Sequence, residues 1–126
     1  MRGAMSTMRE DRLDDPHARP LMDVVRELRA HGRKVPNVDP NDGGVDARIL
    51  ILLETPGPKA VLSGFVSRDN PDPSAKNIGK VLDAAQFARS DVLLWNVVPY
   101  CVSTEKPTAA DIREAIPACQ AFIPIR

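Results

Sequence analysis

The sequence predicts an α/β fold, a three-layer α/β/α domain around a central parallel sheet, and three observations carry that reading. Two continuous apolar runs, Arg48-Ile-Leu-Ile-Leu-Leu53 and Asp91-Val-Leu-Leu-Trp-Asn-Val-Val98, have the β-branched content of strands covered on both faces. Between them Ile78, Val81, Leu82 and Ala85 share one face of a helix. Strand, long loop, helix and strand together make a βαβ unit, whose right-handed crossover lays the helix on one face of a parallel sheet.

Residues 1 to about 19 mix Arg, Asp, Met and Pro without apolar periodicity and predict a disordered arm, with Met5 and Met8 as alternative starts. Residues 20–126 are expected to form the N-terminal part of the α/β domain. Leu21, Val24, Val25 and Leu28 recur at helical spacing, and Gly32 stands where a C-cap glycine belongs. The stretch from Val35 to Asp46, with Pro36, Pro40, Gly43 and Gly44 among Asn and Asp, predicts a loop. The first strand ends at Glu54-Thr55-Pro56-Gly57-Pro58. The helix after it has Asp72 or Ser74 as its N-cap and Pro73 in its first turn. Pro99 closes the second strand.

Thr108, with Asp111 three residues on, predicts a capped helix carrying Ile112, Ala115 and Ile116, interrupted at Pro117. Two parallel strands leave both sheet edges unpaired and cannot cover runs this apolar. The expectation is therefore that C-terminal strands are missing from this chain, and that a further segment or a partner completes the sheet.

The 126 residues are 43% hydrophobic and 27% charged, the balance of an ordinary globular domain. Seventeen basic and seventeen acidic side chains cancel, so net charge argues for neither a nucleic-acid nor a membrane surface, and any DNA-binding face must be local. No apolar stretch is long enough to span a bilayer, and MRGAMSTMRE lacks the apolar core of a signal peptide, so the expected address is cytoplasmic, with no membrane partner. Cys101 and Cys119 form no CxxC pair and are expected to be thiols, with neither metal nor cofactor.

Ligands of parallel α/β sheets bind beyond the carboxyl ends of the strands, so the residues after Leu53 and those from Asn96 to Tyr100 should face one crevice. There the residues become specific. Leu53-Glu-Thr-Pro-Gly57 resembles the first active-site motif of the uracil-DNA glycosylase superfamily, which appears as GQDPY, GMNPG or GEAPG. Gly64-Phe65-Val66-Ser67-Arg68 resembles the PFVGR segment that follows GEAPG in the iron-sulfur branch, and Asn96-Val97-Val98 resembles the NVV at the end of the next strand. Three motifs in order, over residues 46 to 123, carry more weight than any one of them.

The resemblance implies a DNA-repair glycosylase that hydrolyses the N-glycosidic bond of a flipped-out uracil, with uracil-containing DNA as its partner. It implies a base-binding set of Pro56, Gly57, Phe65 and Asn96, with Phe65 as stacking platform and Asn96 as reader of the uracil edge, and a catalytic pair of Glu54 and Thr55. An Asn carboxamide can accept from uracil N3–H while donating to O4, a pattern cytosine does not offer. Cleavage passes through a cation-like sugar, which a carboxylate stabilises; Glu54 is the one carboxylate of the first motif, and Thr55 holds the position where some members keep their water-activating residue.

The family's second motif, His-Pro-Ser or similar, is absent, since His17 and His31 both precede the first strand. Of the four cysteines of the iron-sulfur branch only Cys119 has a comparable context, so no cluster is expected. Two other readings stay open, a noncatalytic remnant with an incomplete base pocket and a generic nucleotide-binding α/β module, although neither GxGxxG nor GxxxxGK[ST] is present. Singly, Asn96 reads as a buried amide bonded to nearby backbone, Phe65 as a core aromatic, and Glu54 as a helix cap or a partner of Lys59.

Overall fold

The computed structural model describes residues 4–102 and 106–125. In chain order these form α1 (Ala4–Asp11), α2 (Arg19–Ala30), β1 (Asn37–Val38), β2 (Ile49–Leu53), α3 (Pro58–Ser63), β3 (Phe65–Val66), α4 (Pro73–Ala84), β4 (Val92–Asn96) and α5 (Ala109–Ile125), with short 3-10 turns at Gly44–Asp46 and Arg89–Asp91. The fold is α/β and every strand pair is parallel, in two small sheets. β2 lies beside β4 with Ile49 opposite Val92 and Leu53 opposite Asn96, and β1 lies beside β3.

β4 is buried along its whole length, as its apolar sequence demands. β2 is only partly covered, with Leu52 exposed, so the expectation of two covered faces holds for one strand and not the other. The core gathers Leu21, Met22 and Val25 of α2, Leu93 and Trp95 of β4, and Ala115 and Phe122 of α5. Trp95 and Phe122 stack with centroids 4.4 Å apart and planes 7° off parallel.

That stack bears on Pro117. The sequence places a break there, yet α5 runs through it to Ile125. Proline removes one N–H and crowds the preceding turn, at a cost of ~3 kcal/mol or more. Burial of Phe122 against Trp95, on the far side of the proline, offsets that cost by anchoring the second half of the helix.

The caps form as their residues predict. The Asp72 carboxylate accepts from the Ala75 N–H at 2.8 Å, with Pro73 at the first helical position. Thr108 and Asp111 bond reciprocally, N–H to carboxylate at 2.8 Å and N–H to hydroxyl at 3.1 Å. Gly32, just past α2, takes φ +85°, and its N–H reaches the Arg29 carbonyl.

The N-terminal segment departs from expectation, although residues 1–3 of it lie outside the described residues. Ala4–Asp11 is helical, and the following turns dock on the domain. The His17 carbonyl accepts from Val45 N–H at 2.8 Å, and the His17 ring donates to the Pro40 carbonyl at 2.7 Å. Arg12 bonds Asn41 and the Pro40 carbonyl. A Cβ at Gly44, whose φ is +56°, would meet the His17 carbonyl oxygen at 2.0 Å, so glycine lets these two stretches touch. Sequence periodicity misses such docking because polar groups make much of it and its apolar contacts, Leu13 and Ala18, are too few to set a period.

Candidate active site

Because β2 and β4 are parallel, their carboxyl ends open on the same side. A cleft of about 470 Å³ lies there, walled by the Leu53–Ala60 turn, the segment after β3, the start of α4 and the end of β4. Glu54, Thr55, Pro56, Gly57 and Asn96 all line it. The crossing bonds Val97 N–H to Leu53 carbonyl (2.7 Å) and Val98 N–H to Glu54 carbonyl (3.0 Å) hold the two strand ends together beyond the ladder.

Asn96 is the last residue of β4 and is 2% exposed. Its Oδ1 is buried without a hydrogen-bond partner. A buried acceptor left unpaired costs about 1–3 kcal/mol, so the bonding of this amide to nearby backbone, its ordinary reading, does not hold for the oxygen. Glu54, one residue past β2, is exposed at the lip of the cleft. No ion pair joins it to Lys59, which lines the same cleft. Gly57 has φ −82°, and a Cβ there would meet nothing within 4 Å. The turn itself does not require a glycine.

Phe65 stands apart from this set. It is 1% exposed and does not line the cleft; the Arg9 guanidinium lies over its ring, 4.2 Å from the centroid. The residues entering the cleft from β3 and its sequel are Val66, Ser67 and Asn70. Neither histidine of the chain lines the cleft: His17 sits on Pro40, and His31 caps α2, its ring against the Glu27 carbonyl.

Sequence reasoning missed the polar scaffold behind the cleft. Asp39 and Asp42, in the stretch read as a loop, are buried, and Arg89 joins them at 2.7 and 3.3 Å while also reaching Asp69 at 2.8 Å. Ser67 donates to Asp39, and Asp42 accepts from the Leu94 N–H at 3.3 Å. Burial, and next to it the charge of Asp39, push the Asp42 carboxyl up to about 7 against the pull of Arg89 and the Leu94 N–H. Asp69 goes the other way: burial opposes its charge, but Arg89, with Arg9 and Arg68, outweighs it and holds the carboxyl below the ordinary range. Arg89, likewise penalised by burial, is held above its ordinary value by Asp69, Asp39 and Asp42. The density of Asp and Asn in 37–42 and 67–72 was the available signal.

A buried amide at a strand end, a carboxylate at the lip and a roomy cleft beyond the carboxyl ends of parallel strands suit recognition of a planar polar ring with reaction at its edge. A search of curated proteins returned no match. A sequence-family model, described as the uracil DNA glycosylase superfamily, matches residues 40–125, about two thirds of the chain, and takes in both strands of the larger sheet and the whole cleft lining. The chain belongs to the uracil DNA glycosylase superfamily.

Proposed function

We propose that the protein is a DNA-repair glycosylase that hydrolyses the N-glycosidic bond of a uracil flipped out of DNA, and that the cleft between β2 and β4 receives the base. The observation that carries this reading is the buried, unpartnered Oδ1 of Asn96. Accepting from uracil N3–H would satisfy it, while the same side chain donates to O4. A base with an acceptor at that ring nitrogen would leave two acceptors face to face.

In the reaction the C1′–N1 bond breaks, its electron pair leaves with uracil, and a water oxygen bonds C1′ while its proton goes to the departing base. Glu54, at the lip, supplies negative charge for the cation-like sugar. Thr55 is neutral and orients the water rather than deprotonating it. Pro56 and Gly57 form the wall against which the base lies. No cofactor enters this scheme. Incubation with an oligonucleotide carrying one uracil should yield free uracil and an alkali-labile abasic site; strand breakage without free base would contradict it.

A second reading, recognition without cleavage, is favoured by one observation. No histidine lines the cleft, so the departing uracil oxygens face no imidazole, and Lys59 is the cation among the cleft residues. Tight binding of uracil DNA with no product after long incubation would select it.

A further inference from the structure

The sheet of β2 and β4 has one occupied edge and one open edge. On β4 the Val92 carbonyl accepts from the Gly43 N–H at 2.9 Å, and the Leu94 N–H donates to the buried Asp42 at 3.3 Å, so the stretch before β2 runs along that edge and satisfies it. Among the described residues no strand pairs with the outer edge of β2. An open edge offers its N–H and C=O groups to any strand that can reach it, unless a charge or a proline stands in the way. The run Ile49–Leu53 carries neither.

The same side of β2 lacks a cover. Leu52 lies in register with Trp95, and α5 stacks Phe122 on Trp95 but leaves Leu52 38% exposed. Beside it a groove of about 320 Å³ is lined by Leu52, Val97, Val98, Pro107 and Ile112, with Ile116 exposed one turn further along α5.

Charge identifies the occupant. Arg48 precedes β2 and Glu54 follows it; both are exposed, and neither has an ion-pair partner among the described residues. A strand laid antiparallel to β2 and centred on Ile51 sets position 48 opposite position 54 and position 50 opposite position 52. A second copy therefore brings Arg48 to Glu54 at both ends, with Leu50 against Leu52 between them. We propose that the outer edge of β2 is the interface of a symmetric dimer, in which the β2 strands of two copies pair antiparallel into one four-stranded sheet. The two-fold repeats every contact, and because the far edge of β4 is already occupied the assembly closes at two copies. The joined strands run in opposite directions, so the two clefts open at opposite ends, each with Arg48 of the other copy beside Glu54 at its lip. The interface does not depend on which base the cleft takes.

Sedimentation equilibrium of the full chain reads the outcome. The parent should sediment at twice the 13.8 kDa chain mass at about 0.1 mM and dissociate on dilution. Arg48→Glu and Glu54→Arg, each alone, set like charges opposite one another at both ends and should weaken self-association by about tenfold. An equimolar mixture of these two variants restores opposite charges at both ends and should dimerise as the parent does. Leu52→Lys, at an exposed position, should fold as the parent and stay monomeric. A parent that is monomeric at about 0.1 mM overturns the proposal. So does a mixture no tighter than either variant alone, because another surface then holds the copies together, and so does a Leu52→Lys protein that dimerises like the parent.

Discussion

The guanidinium of Arg9 lies 4.2 Å above the centroid of the Phe65 ring, so the aromatic that the motif order nominates as a stacking platform is covered by a side chain from the first helix. The same Arg9 approaches the buried Asp39 at 3.6 Å, which ties α1 to the scaffold behind the cleft. A base can stack on Phe65 only after Arg9 leaves. Arg9→Ala should cost about 1 kcal/mol, the weight of a partly desolvated cation–π contact, and leave binding of lesion DNA unchanged, because the ring does not line the cleft. Denaturant midpoints and affinity measured together check this; strengthened binding would show that the uncovered ring receives a base.

Phe65→Ala should destabilise the fold by about 3–5 kcal/mol, since the ring is fully buried. Phe65→Leu keeps most of the burial and should lose far less. Urea unfolding of the two variants separates packing from stacking, because a ring acting solely as an exposed platform would give both variants near-parental stability.

Gly57→Ala should leave stability within about 1 kcal/mol, because φ is negative and a Cβ meets no protein atom. Binding of lesion DNA should fall by more than tenfold as the methyl enters the cleft. Parental affinity in a folded variant would show that the base does not approach this wall.

Asp42 should make stability depend on pH. Its carboxyl sits at about 7 in the folded chain, above the ~3.9 of an unfolded aspartate. Below about pH 4 both states hold the proton and the contribution is fully present. As pH rises towards 7 the unfolded chain ionises first, and stability falls by up to about 1.4 kcal/mol per pH unit, levelling off above the folded value. Asp69, held low by Arg89, has the opposite sign, and its contribution is lost only on acidification. Urea midpoints should be higher at pH 5 than at pH 7.5, and Asp42→Asn should shrink the difference. An undiminished difference would place its origin elsewhere.

What was legible in the sequence was local. Asp72 with Pro73 specifies its cap within four residues, Thr108 and Asp111 specify theirs, and the apolar runs from 49 to 53 and 92 to 96 become strands because few other conformations bury them. What was not legible depends on distant partners. Asp39 and Asp42 look like loop residues until Arg89, about fifty positions away, neutralises them. Pro117 lies within a helix held to the core on both sides of it, by Ala115 before it and by Phe122 against Trp95 after it. Phe65 is withdrawn from the cleft beneath an arginine whose own segment has no apolar periodicity. Of the site, Glu54, Thr55, Pro56, Gly57 and Asn96 were in view, since strand ends and turn chemistry mark them; Asn70, which also lines the cleft, was hidden, because nothing local shows that its amide nitrogen is committed to the Phe65 carbonyl.

The central claim is that the unpartnered Oδ1 of Asn96 reads the base, and Asn96→Leu tests it most directly. Leucine has nearly the same volume and removes a buried acceptor that bonds to nothing, so the variant should fold at least as stably as the parent, by up to about 1 kcal/mol. Release of uracil from a single-uracil oligonucleotide should disappear in that stable variant and persist in the parent. Parental release by a well-folded Asn96→Leu protein would contradict the account, because the base would then be recognised without the residue around which the cleft is built.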